Sequence, residues 1–247
     1  MSMRRRMVFL AVAVTLAGGC ASRKTATSQA PPAAEDPMVE MDHSDHDMGS
    51  HDHGDMGLHM RMTSPRPVTQ RDRQRANEIV AELAPAIERF RDFHVAEREG
   101  YRIFLPDVPQ KMYHFTNWAY GMAAAFRFDP TRPTSLLYEK ESDGYRLIGA
   151  MYTARKNATE AELDRRVPLS IAQWHAHVDI CLAPRGRGAE MRGPHARFGP
   201  RGSIASESDC SAAGGRWIPQ LFGWMVHVYP FEKDPAEVWS LERQMSD

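Results

Sequence analysis

Polarity changes character three times along the chain. Residues 7–17 are continuously apolar, residues 21–67 hold almost no branched or aromatic hydrophobic side chain, and from residue 68 onward apolar positions recur with regular periods. The first period is helical. Ile79, Leu83, Ile87, Phe90 and His94 lie three or four residues apart, a spacing that lines one face of a helix. The preceding "TQRD" at 69–72 reads as a capping box, in which a threonine and an acid three residues later satisfy each other's backbone amides. A helix is therefore expected from about 70 to 97. Pro85 should bend it, because proline removes a backbone donor, and Gly100 should end it.

Beyond Gly100 the period becomes two. "TSLLYEK" (134–140) and "YRLIGAMYTA" (145–154) read as two strands joined by "ESDG", a hairpin turn. "TEAELDRR" is a short helix opened by Thr159, with Glu162 three residues on. "SIAQWHAHVDICL" (170–182) and "LFGWMVHVYPF" (221–231) are the two strongest strand segments, separated by a Gly/Arg/Pro-rich excursion over 184–216. "DPAEVWSLERQ" opens with Asp234 as cap and Pro235 at the first helical position. The expected fold class is α+β: an antiparallel β-sheet or partly closed barrel, with a long N-terminal helix and a short C-terminal helix.

Alternation in the two strongest strands sorts their side chains by face. Trp174, Ala176, Val178 and Ile180 fall on one face and His175, His177, Asp179 and Cys181 on the other. In the second strand His227 shares a face with Met225 and Tyr229. If the strands are neighbours, His175, His177 and His227 form a three-histidine metal set, the arrangement used by catalytic metal sites that keep an open position. His114 in "YHFTN", Glu139 in "LLYEK" or water could take the fourth position, and Asp179 could orient an imidazole from outside. The bland alternative is a polar sheet face on which these histidines only meet solvent or hydrogen-bond partners. His-x-His followed far downstream by a strand histidine resembles a cupin, which implies a double-stranded β-helix around a metal. The glutamate expected after the pair is missing, and Cys181 stands near its place.

Outside this body the composition carries an address. Arg4, Arg5 and Arg6 precede the apolar run, which is too short to span a membrane, and "LAGGC" ends at Cys20. This segment, residues 1–20, resembles the signal peptide and lipobox of bacterial lipoproteins, with one extra glycine. The resemblance implies lipidation of Cys20 and a membrane partner through that anchor. The implied location is the cell envelope, on the periplasmic face of an outer membrane. Cys181 and Cys210 then remain as a pair, expected to form a disulfide in an oxidising compartment. The alternative is Cys181 as a thiolate ligand. A net charge of −1 offers no basic field for nucleic acid. No protein partner can be named.

Residues 21–67 read as a disordered tether, because they lack the apolar side chains that would offset ordering entropy. Five of the eleven histidines lie between His43 and His59, and six of the fifteen methionines between Met38 and Met62. The candidate tether ligands are His43, His46, Met48, His51, His53, Met56, His59 and Met60. Imidazole and carboxylate suit Cu(II) and thioether suits Cu(I). The segment "DHSDHDMG" resembles the Met/His-rich segments of bacterial copper-resistance proteins. The bland alternative is a hydrophilic spacer. Residues 68–247 form the single α+β domain, and "YHFTN … WHAHV" within it resembles a group of uncharacterised secreted bacterial proteins.

The leading expectation is a membrane-anchored, exported lipoprotein that binds a transition metal for sequestration or delivery, with copper first and zinc or iron as alternatives. The second is a metal-dependent enzyme of unknown substrate at the same three histidines, with Glu139 or Asp179 as base. The third is a structural or non-metal binding lipoprotein.

Overall fold

The computed structural model describes residues 57–193 and 195–245. The signal segment with Cys20, and the tether residues His43, His46, Met48, His51, His53 and Met56, lie outside the described residues.

In chain order the elements are β1 (Met60–Met62), α1 (Gln70–Ile87), α2 (Phe93–Arg98), β2 (Arg102–Ile103), β3 (Tyr113–Thr116), α3 (Trp118–Ala124), β4 (Ser135–Glu141) and β5 (Gly144–Ala154). Then follow α4 (Glu160–Arg166), β6 (His175–Leu182), α5 (Glu207–Ala212), β7 (Arg216–Gln220), β8 (Trp224–Val228), α6 (Pro235–Val238) and α7 (Leu241–Met245). The strands form one antiparallel, open sheet of 8 strands in the order β1-β6-β8-β5-β4-β3-β2, with β7 added on β6. The α+β expectation holds. The single open sheet is not the two-sheet jelly roll of a cupin.

Both expected capping boxes are present, Thr69 with Asp72 and Thr159 with Glu162. The long helix is corrected in one respect. It accommodates Pro85 and breaks afterwards, passing through a 3-10 turn over Glu88–Arg91 before α2 restarts at Phe93. That break keeps Phe90 buried but turns His94 out to solvent, where it meets Glu97. The start of the body is corrected too. Met60–Met62, assigned by composition to the tether, is a strand paired to β6, and His59 beside it is buried. Polarity hid this because a three-residue edge strand needs few apolar side chains when its neighbour supplies the backbone partners.

The two faces of the sheet differ chemically. One packs against α1 through Ile79, Leu83 and Ile87 and carries Phe115, Leu136, Tyr152, Trp174, Val226 and Val228. Three of its buried tyrosines donate their hydroxyls to backbone carbonyls, Tyr101 to Pro133, Tyr152 to Pro130 and Tyr138 to Phe90, the last at 2.7 Å. The other face carries a smaller cluster: Met112, Leu137, Ile148, Met151, Met225 and Tyr229. A third cluster, Phe198 and Ile204 around the Cys181–Cys210 disulfide, stabilises the excursion after β6. The disulfide removes Cys181 from the thiolate ligands considered above.

Candidate metal-binding site

The smaller cluster is the concave face. β8 and β3 are three steps apart in the sheet, roughly 14 Å if it were flat. Yet His227 on β8 and His114 on β3 approach to 3.5 Å between their Nε2 atoms. Tyr229 Oη likewise reaches Met112 Sδ at 3.8 Å. Side chains standing perpendicular to a flat sheet cannot meet across that span, so the sheet must curl toward them. Two features permit the curl. The register of β4 on β5 shifts between Leu137 and Tyr138, a bulge that bends and twists the strand. A Cβ on Gly149 would stand 2.4 Å from the Val228 carbonyl oxygen and 2.9 Å from Tyr229 Cδ1, so only glycine allows β5 to lie this close to β8.

Four histidines gather inside the curve. His227 is the hub, with its ring centroid 5.2 Å from His175 and 5.3 Å from His114. His177 lies 5.8 Å from His175. His175 and His227 are buried, while His114 and His177 are partly exposed and form the open edge. Two imidazoles bound to one ion at tetrahedral angles hold their centroids roughly 5 Å apart and their ligating nitrogens roughly 3.3 Å apart. Both pairs at His227 are close to the first spacing, and His114–His227 is close to the second as well. The rings of His175 and His227 meet at 87°, and among the described residues no set of three or more His, Cys, Asp or Glu donors already surrounds one centre. Convergence on an ion would need ring rotation about χ2, a broad torsion.

Burial is the main cause of the electrostatics. It pushes His114 down to about 4 and His175 down to about 3, with the charge of His177 adding to each. His227 is held well below 6.5 by burial and then by His175, His114 and His177. His177 is lowered by burial and by His59. These groups are therefore neutral at pH 7, with lone pairs able to ligate. Other imidazoles act on each of them: His177 on His114 and His175, His59 on His177, and His175, His114 and His177 on His227.

The other expected residues have partners or backbone conformations of their own. Glu139 is bound by Arg146. Asp179 adopts a left-handed φ of 55° inside β6. His59 is engaged elsewhere, with Nε2 2.6 Å from the Gly202 carbonyl oxygen and Nδ1 3.3 Å from that of Val178. It ties β1 to β6 and to the excursion.

Gln244 gave no signal in the sequence. β6 and β8 pair only at His175↔Met225, and the Gln244 side chain on α7 lies beside that gap. Its Oε1 accepts the His227 backbone N–H at 3.2 Å, and the side chain stands within reach of His175. His175 Nδ1 and Gln244 Nε2 are both buried without a hydrogen bond of good geometry among the described residues, a condition that calls for a further partner.

Comparison with protein-family models, with curated proteins and with solved structures returns no match to this chain.

Proposed function

We propose that the protein is an exported, lipid-anchored copper-binding protein, whose folded body holds the ion on the concave face of the sheet for sequestration or delivery. The observation that carries this reading is the meeting of His114, His175 and His227 from three strands, two of which are three steps apart. A sheet face that serves only packing has no need to bury neutral imidazoles against one another, since each buried ring costs desolvation. Copper is favoured over zinc because the donors beside the imidazoles are thioethers, which suit soft ions. Membrane attachment rests on the lipobox-like "LAGGC" ending at Cys20. The His/Met-rich segment before the body would gather ions near the anchor by mass action.

The test is equilibrium dialysis of copper and zinc against a chain trimmed to residues 57–247, with elemental analysis. The expected result is one tightly held copper per chain. In His227→Ala its affinity should fall by roughly a hundredfold or more, with the circular dichroism spectrum retained. Equal copper uptake by His227→Ala and the parent would overturn the reading.

A further inference from the structure

Strand register adds an observation that the histidines alone do not. Directly opposed residues in an antiparallel pair share a sheet face, with Cβ atoms roughly 4.5–5.5 Å apart. Across β1 and β6, Met62 is opposed to His175 and Met60 to His177. Across β8 and β6, Met225 is opposed to His175. Across β5 and β8, Met151 is opposed to His227. Each strand histidine of β6 and β8 therefore has a methionine directly beside it, and His175 has one on either side.

Methionine is a common filler of irregular cores, so this proximity has to be weighed against packing. The distribution decides. The main core, on the other face of the same sheet, contains no methionine among its described residues and is built from Leu, Ile, Val, Ala and aromatic side chains. Half of the six buried hydrophobic residues on the histidine face are methionines, Met112, Met151 and Met225. A filler role would not sort one residue type by face. Met60 and Met62 are only partly buried, at the edge next to the accessible His177, where a flexible thioether gains little from packing.

Resting on the copper reading above, we infer that the Met62 and Met225 thioethers are ligands of the same ion as His175 and His227, and that the ion is Cu(I). Thioether sulfur is a soft donor that favours Cu(I). Cu(II) prefers tetragonal nitrogen and oxygen sets, and zinc makes little use of thioethers. Neutral imidazole and thioether donors bring no charge of their own, a set that suits the monovalent ion better than a divalent one. Ion entry would pass the partly exposed His177 and Met60 before reaching the buried His175.

The test uses the full chain with its tether donors replaced: His43, His46, His51 and His53 by asparagine, and Met38, Met41, Met48 and Met56 by leucine. It is loaded with Cu(I) under anaerobic conditions. X-ray absorption should find sulfur as well as nitrogen around copper. Met62→Leu with Met225→Leu should remove the sulfur and weaken Cu(I) binding, measured against a chromophoric Cu(I) chelator, by roughly tenfold or more. Leucine conserves volume, and each single substitution serves if the double variant does not fold. Nitrogen-only coordination with unchanged Cu(I) affinity in the variants would overturn the thioether assignment and leave the histidine site standing. Absence of Cu(I) and Cu(II) uptake by the parent would overturn the copper reading, and this inference with it.

Discussion

His227 touches the rings of both His175 and His114, and its position depends on a residue that has no side chain. Gly149 lets β5 approach β8. An alanine there must displace backbone, so Gly149→Ala should destabilise the fold by about 2–3 kcal/mol and open the concave face. Urea unfolding measures this, and an unchanged midpoint would refute the account of the curl. The same histidines give a pH dependence whose sign is fixed. Their folded pKa values are depressed below 6.5, so between 6.5 and about 4 the unfolded chain binds more protons than the folded one. The stability they contribute to the metal-free protein is complete above 6.5 and declines as pH falls below it; the share of His114 levels off near 4, while that of His175 goes on falling to about 3. Urea midpoints at pH 7.5, 5.5 and 4.5 should fall in that order, and His114→Phe should flatten the slope. At this scale the sequence was informative wherever alternation sufficed. His175, His177 and His227 were legible on one face, because a strand's period is two. The surroundings of Glu139 and Asp179 were not legible, since an ion pair with Arg146 and a left-handed backbone lie outside what alternation encodes. The opposed methionines depend on register between strands as far apart in sequence as Met62 and His175, which no local pattern encodes.

Among the elements, the helices and the hairpin were readable from caps and turns, whose chemistry is local. The β4–β5 hairpin closes at Glu141↔Gly144, within the turn that "ESDG" indicates. β3, β7 and β1 were harder, because short strands take their stability from neighbours rather than from their own composition. β1 is the case with a functional consequence. It brings Met60 and Met62 into the sheet and is pinned by His59. A chain beginning at residue 57 should unfold cooperatively. One beginning at residue 63 loses β1 and His59 and bares the β6 edge, so it should show a lower urea midpoint and faster amide exchange along β6. Equal midpoints for the two chains would mean that β1 contributes nothing to the fold.

For the molecule as a whole, the histidine and methionine bias does not stop where the folded body begins. The segment over 38–58 runs directly into β1, so the donors attributed to the tether and those of the concave face are continuous in sequence. A lipid on Cys20 would keep both at a membrane surface. The most direct test of a copper site inside the curved sheet is an anomalous difference map at the copper edge, from crystals of the 57–247 chain grown with copper. The account predicts one principal peak about 2 Å from imidazole nitrogens of His175 and His227, beside His114. A map whose copper lies only at exposed histidines such as His94 or His195, with none among these three rings, would contradict it.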